Sequence, residues 1–178
     1  LLPRSKKKNE VIFENEKLMI HKDTPVFDGQ FSNRCYSESV KQAFIDFRMK
    51  AIEEGRYDPE NDEILTNQWS RIIVHLPYAF QGKRMFPDVF RHDRQHLKEW
   101  DAIEEEIGPA PLESDFENEA DWDKSMDSYR RAISKTESFK QFVEDRIEKG
   151  QRASSLIGNQ YTGSIFLALM STKTILQT

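Results

Sequence analysis

His75 stands where a folded chain commonly presents a catalytic side chain, at the end of an apolar run. Residues 72–78 predict a buried strand, and Pro77 predicts its end because proline cannot donate to a strand ladder. An imidazole at a strand end can donate or accept a proton near neutral pH. The residue type equally fits a half-buried histidine bonded to a backbone carbonyl, so both interpretations stay open.

A block of small polar residues precedes a second apolar run at residues 165–170. Gly158 and Asn159 can form a tight turn, and Thr162 or Ser164 can cap the buried helix predicted from the apolar run. The first N–H groups of that helix and its positive dipole end would suit a carbonyl or thioester oxygen. The alternative is a well-capped core helix that binds nothing.

Basic residues gather just after the histidine, at Lys83, Arg84, Arg91 and Arg94. Guanidinium and ammonium groups are the side chains that bind phosphates, so this cluster could receive a phosphorylated ligand. The same residues could equally decorate the solvent face of a helix. Charge alone does not separate the two interpretations.

Three further residues have side chains that could bind metal or act as a nucleophile. His92 and His96 are four residues apart, but no third ligand is evident, so we interpret them as helix-surface residues and predict no metal. Cys35 is the single cysteine and excludes an internal disulfide. It enters a helix without a glycine-rich elbow, which favours a small apolar role over a nucleophilic one.

The composition narrows the class of protein. The 178 residues carry a net charge of -5, with 37% hydrophobic and 32% charged residues, which argues against general nucleic-acid binding. Acidic residues concentrate at 104–106 and 113–119, which we interpret as solvated surface. No run of eighteen apolar residues exists, and the charges at the N-terminus follow the apolar pair, opposite to a signal peptide. We therefore expect a soluble cytoplasmic protein with no membrane partner.

Periodicity predicts the elements that must position these residues. Short apolar runs at 11–13 and 18–20 predict two strands joined by a turn. Apolar residues at helical spacing from Val40 to Ala51 predict a helix that ends at Gly55. A helical region is predicted from Gln81, interrupted or capped at Pro87, and a second helical stretch from about residue 122 to 150.

Three blocks together resemble one family, hydroxymethylglutaryl-CoA synthase. They are residues 27–32 before a helix, 75–78 with 82–84 just after, and 158–164 before an apolar helix. Their order and approximate spacing match the family, and the resemblance covers the chain from about residue 28 to its end. Two departures are Phe80, where the family commonly has lysine, and residues 14–21, which lack its aromatic and acidic motif.

The resemblance implies an α/β fold, a thiolase-like layered α/β/α arrangement of two related halves. Residues 1–178 would form an incomplete C-terminal half-domain, with residues 80–150 as an inserted helical arm. The family's cysteine nucleophile and glutamate general acid/base would lie in an N-terminal half outside this chain. The complete enzyme is expected to be a homodimer without a cofactor, acting on acetyl-CoA and acetoacetyl-CoA.

The resemblance also implies roles for individual residues. His75 matches the histidine that holds and polarises the acetoacetyl group, and Asn159 matches the asparagine that fixes the acyl group beside it. Lys83 and Arg84 fall where the family contacts the phosphates and pantetheine arm of coenzyme A. Substrate contacts are also expected in the block of Asn159, from the two residues Tyr161 and Ser164.

Two alternatives stay open beside the coenzyme A synthase. A related polyketide branching enzyme would keep His75 and Asn159 but would act on acyl groups carried by a carrier protein. A non-catalytic interaction module would keep the histidine without needing it for turnover.

Overall fold

The computed structural model describes residues 10–13, 16–19, 29–75, 81–149, 151, 156–157, 160–161 and 163–176. Two short antiparallel strands come first, β1 (Glu10–Phe13) and β2 (Glu16–Met19), in register from Glu10 opposite Met19 to Phe13 opposite Glu16. This hairpin confirms the two strands predicted at the start of the chain. The remaining regular structure in these residues is helical.

The helices follow in chain order and vary widely in length. The α-helices are α1 (Gly29–Glu53), α2 (Gln81–Met85), α3 (Pro87–Arg94), α4 (Lys98–Ile107), α5 (Glu119–Ile133), α6 (Glu137–Phe142) and α7 (Gly163–Leu176). Short 3₁₀ turns lie at Pro59–Asn61, Leu65–Gln68 and Glu113–Asp115, and a π-helical turn at Val143–Glu148 continues α6.

The expected layered α/β fold is wrong for this part of the chain. The β1–β2 hairpin is the only sheet in the described residues, and the predicted strand at 72–78 is not formed, since residues 71–75 belong to no strand and 76–80 lie outside the description. A strand exists only where a neighbouring strand takes its backbone hydrogen bonds. Here helices take them instead, which the apolar run alone does not reveal.

Gly55 forms the cap that ends α1. The helix ends just before Gly55, as predicted, and Gly55 has φ of 65°. The Arg56 N–H donates to the Ala51 carbonyl at 2.8 Å, and the Gly55 N–H donates to the Ile52 carbonyl at 2.9 Å. This pair of bonds is a Schellman cap, which needs a residue that tolerates the left-handed conformation.

The predicted helical stretch from 122 to 150 is divided in two. α5 ends at Ile133 and α6 begins at Glu137, with Thr136 as the N-cap between them. The Thr136 hydroxyl donates to the Ile133 carbonyl at 2.8 Å and lies 3.4 Å from the Phe139 N–H. Threonine hydroxyls compete with helical hydrogen bonds in this way, so the break follows from the residue type. The interruption predicted at Pro87 is confirmed, because α2 ends at Met85 and α3 begins at Pro87.

The core is centred on α3 and the aromatic residues around it. Phe90 is buried and its ring meets those of Phe139 at 5.3 Å, Phe142 at 5.4 Å and Trp100 at 6.1 Å between centroids. Edge-on and tilted rings at these separations are the favoured aromatic geometries. Ile133 of α5 is also fully buried in this cluster. The core thus joins α3 to α4, α5 and α6.

Two buried carboxylates of α3 tie it to its neighbours. Asp88 accepts a hydrogen bond from Arg130 Nε of α5 at 2.8 Å. Asp93 is fully buried and accepts from the backbone N–H groups of Leu65 and Thr66 at 2.9 and 3.1 Å, and from the Thr66 hydroxyl at 2.5 Å. Asp93 therefore fixes the 3₁₀ turn at Leu65–Gln68 against α3, a few residues before His75.

His92 on α3 should make the stability of the fold depend on pH. Burial lowers the pKa of His92 from its usual 6.5, and the Arg91 charge lowers it further. The unfolded chain keeps the ordinary pKa and binds the proton more readily, so stability falls as the pH falls through about 6.5. We expect a lower urea midpoint at about pH 5.5 than at about pH 7.5. In His92→Asn this difference should shrink, whereas an unchanged difference would contradict the assignment.

None of the described helices has the length and apolar character required to cross a membrane.

Candidate functional site

The backbone and side chain of His75 are held by two different helices. The Tyr36 hydroxyl of α1 donates to the His75 carbonyl at 2.8 Å, and burial raises the pKa of Tyr36. The His75 Nδ1 atom lies 2.9 Å from Ser164 Oγ, in the first turn of α7. Residues 39 and 89 positions away along the chain therefore fix this histidine.

The segment that leads to His75 is anchored by helical groups. The Ile72 N–H donates to the Arg146 carbonyl at 2.7 Å, and Arg146 Nη1 donates to the Trp69 carbonyl at 2.7 Å. Gln151 Nε2 donates to the Val74 carbonyl at 3.2 Å. These bonds supply partners that a neighbouring strand would otherwise provide, so the histidine sits on a fixed segment without a sheet.

Ser164 is a fully buried residue at 0% exposure. Its hydroxyl lies 2.8 Å from the Tyr161 carbonyl, which also accepts the Ser164 backbone N–H at 3.1 Å. Tyr161 has φ of 50°, the left-handed conformation that a tight turn requires. The turn before α7 thus brings Ser164 beside the imidazole of His75.

Two other residues of this block, Asn159 and Tyr161, were predicted to contact the substrate. Asn159 lies outside the described residues, so its contact with an acyl group beside His75 remains a prediction. The Tyr161 side chain is 78% exposed. In the described residues this tyrosine serves the site through its backbone carbonyl, which receives Ser164.

The two residues predicted to contact coenzyme A lie together on the short helix α2. Lys83 and Arg84 are both exposed. Lys83 Nζ forms an ion pair with Glu148 Oε1 of the π-helical turn. Both partners are about half exposed, and such surface pairs contribute little to stability. The lysine could therefore exchange Glu148 for a phosphate at small cost.

The other basic residues of the predicted cluster serve the core. Arg94 stacks on the rings of Phe90 at 4.3 Å and Phe142 at 5.1 Å, and its Nη1 lies 3.2 Å from Asp93 Oδ2. Burial lowers the pKa of Arg94, against the opposing effect of Asp93. Arg91 lies over the Tyr129 ring at 5.7 Å. The predicted four-residue cluster therefore divides into an exposed pair on α2 and a structural pair on α3.

Neither His92 nor His96 lies fully on the helix surface, since both are half-buried. His96 Nε2 lies 2.9 Å from the Glu63 carbonyl. Across the described ranges, no three histidine, cysteine, aspartate or glutamate side chains converge as metal ligands would. Cys35 is half-buried within α1.

One face of α7 is apolar and exposed, which the predicted buried helix did not anticipate. Ser164 and Ala168 face inward and are fully buried. On the other side, Phe166 is 63% exposed and Met170 is 68% exposed, with Leu169 beside them. Exposed apolar side chains grouped in this way are typical of surfaces that contact another protein, a membrane or a ligand.

Comparison with known proteins places these observations in a family. The family model described as hydroxymethylglutaryl-coenzyme A synthase C terminal matches residues 12–177. A hydroxymethylglutaryl-CoA synthase of Haloferax volcanii is 29% identical over 158 residues, which cover 89% of this chain and 33% of the relative. The synthase erg13B of Aspergillus fumigatus is 26% identical over 158 residues, covering 83% of this chain and 32% of the relative.

The chain thus spans about a third of the length of the curated relatives it matches. No solved structure matches it significantly.

Proposed function

Because this chain belongs to the hydroxymethylglutaryl-coenzyme A synthase C-terminal family, we propose that it is part of a synthase that joins acetyl-CoA to acetoacetyl-CoA. The observation that carries the proposal is the 2.9 Å contact between His75 Nδ1 and Ser164 Oγ. It joins two of the three sequence blocks that resemble the family, through residues that are 89 positions apart. If the two blocks resembled the family only by chance, they would not be expected to contact each other in the folded chain.

His75 would hold and polarise the acetoacetyl group, with Asn159 fixing the acyl group beside it. Addition of the acetyl carbon to the ketone carbonyl of the acetoacetyl group builds negative charge on the ketone oxygen, and a positioned imidazole that donates a hydrogen bond to this oxygen stabilises that charge. The nucleophilic cysteine and the glutamate general acid/base would come from the part of the relatives that this chain does not match. This chain would therefore contribute positioning and electrostatic stabilisation.

Lys83 and Arg84 would contact coenzyme A, with Tyr161 contributing a substrate contact from the turn before α7. Both cations are exposed on α2, and an arginine beside a lysine is well suited to phosphate oxygens. The ion pair of Lys83 with Glu148 lies on the face shared by α2 and the π-helical turn.

The partner that covers α7 would be the N-terminal part of the same enzyme. The exposed Phe166, Leu169 and Met170 provide the apolar surface for that contact, and the matched relatives are about three times as long as the matched region. We further propose that the complete protein is a homodimer. The single cysteine Cys35 favours a reducing, cytoplasmic setting.

The test is condensation of acetyl-CoA with acetoacetyl-CoA by the complete gene product and by residues 1–178 alone. We expect turnover by the complete protein and none by the isolated chain, because no positioning by His75 replaces a missing nucleophile. Mixing residues 1–178 with the separately produced N-terminal part should restore some turnover. Condensation by the isolated chain would contradict the proposal, and so would a complete protein that accepts only carrier-bound acyl groups.

A further inference from the structure

The backbone carbonyl of His75 has a single donor among the described residues, the Tyr36 hydroxyl at 2.8 Å. Residues 71–75 belong to no strand, so no described ladder supplies a second donor. The bond is partly buried, and a carbonyl that loses its donor in such a place is poorly compensated by water. Tyr36 therefore holds the backbone from which the His75 ring projects.

The Tyr36 side chain is well placed to fix that carbonyl. Its ring packs against the hydrophobic core, as does Val74, the residue before His75. The helix that carries it, α1, packs on both α2 and α3. Burial raises the pKa of Tyr36 above its usual 10.0, so the hydroxyl keeps its hydrogen and remains a donor at neutral and mildly alkaline pH.

We propose that Tyr36 is a positioning residue of the acyl site, which sets where the His75 ring meets the acyl group by holding the His75 carbonyl on α1. This inference rests on the proposed function and deepens it. It also gives a role to the first of the three family-like blocks, residues 27–32, because α1 begins inside that block at Gly29. The helix that follows the block would then serve the site without contacting substrate.

A displaced carbonyl would carry the ring with it, because only a short side chain separates the two. Without the Tyr36 hydroxyl, the segment would keep the bond from Gln151 to the Val74 carbonyl, and the ring would keep its contact with Ser164. The expected result is therefore a small shift of a ring that is still present. A misplacement of about 1 Å can cost about 100-fold in rate, so a smaller shift should cost roughly 10-fold.

Tyr36→Phe in the complete protein tests the proposal, since it removes the hydroxyl and keeps the ring that packs on the core. We expect kcat to fall roughly 10-fold with little change in KM, because the effect falls on the transition state. Tyr129→Phe is the matched control. Tyr129 is also buried, on α5, but its hydroxyl hydrogen-bonds no described group, so its loss should leave kcat unchanged.

A double-mutant cycle separates positioning from a general structural effect. If Tyr36 acts through His75, Tyr36→Phe should change kcat by about two-fold or less once the ring is absent in His75→Ala. NMR of the complete protein with ¹³C-labelled histidine provides a readout independent of activity. The His75 ring signals, identified by their absence in His75→Ala, should shift in Tyr36→Phe and stay in place in Tyr129→Phe.

Two results would overturn the inference while His75→Ala remains impaired. One is a Tyr36→Phe protein with the kcat of the wild type, and the other is a roughly 10-fold loss that persists in the His75→Ala background. Full turnover in His75→Ala would instead overturn the proposed function. The ring signals would then still report whether Tyr36 holds His75, so the two failures are distinguishable.

Discussion

Replacing His75 with alanine in the complete protein is expected to lower kcat by about 10²- to 10⁴-fold, the usual contribution of a positioned acid–base group. The ring would be lost from a segment that stays anchored by Tyr36 and Arg146 through backbone groups, so the fold should remain intact. Steady-state condensation kinetics measure the effect. KM should change less than kcat if the ring acts mainly in the transition state.

His96→Gln is the matched control for this prediction. His96 is also half-buried. In the part of the chain that the structure describes, its ring forms one hydrogen bond, between Nε2 and the Glu63 carbonyl. Its replacement should leave kcat close to that of the wild-type protein. If His75→Ala kept turnover within a few-fold of wild type, the chain would be a non-catalytic interaction module with a retained histidine.

Replacing Asp93 with alanine should destabilise the fold by about 3–5 kcal/mol, as expected when one partner of a buried charged network is removed. The change would leave the N–H groups of Leu65 and Thr66 and the guanidinium of Arg94 without their common acceptor. Unpaired buried donors carry the full cost of lost solvation. Urea denaturation of the complete protein, followed by tryptophan fluorescence, measures the loss.

Asp101→Ala is the matched control, since Asp101 is exposed on α4. Its replacement should change the free energy of unfolding by about 0.5 kcal/mol or less. Asp93→Asn should also be destabilising, because its amide NH₂ would face donors instead of accepting from them. Equal urea midpoints for Asp93→Ala and Asp101→Ala would show that the Asp93 network contributes no net stability.

Much of the helical structure follows from local residue patterns. Pro87 starts α3 because its ring and missing N–H suit a first helical turn, and Gly55 ends α1 because it tolerates a positive φ. Thr136 divides the predicted helical stretch at 122–150 through bonds to residues three positions away. Patterns of this kind involve residues that are close in the chain, so the sequence alone indicates where these helices begin or end.

The candidate site could be predicted only in part, because some of its contacts join residues that are far apart in the chain. The residue types and the block spacing indicated His75 and residues 158–164 as parts of one acyl-handling site. Nothing in the sequence indicated that Tyr36 would bond the His75 carbonyl or that Ser164 would contact the His75 ring. These partners are 39 and 89 residues away, and no local pattern records such separations.

The sequence by itself determined the family and the helix boundaries near Gly55, Gln81 and Pro87. Only the tertiary structure decided that residues 71–75 form no strand, because a strand depends on a neighbouring strand and none of the described residues provides one beside it. The same apolar run could pack against a sheet or against helices, since its apolar side chains are removed from water equally well in both arrangements. Its backbone bonds go instead to Arg146, Gln151 and Tyr36, and that choice is made by long-range packing.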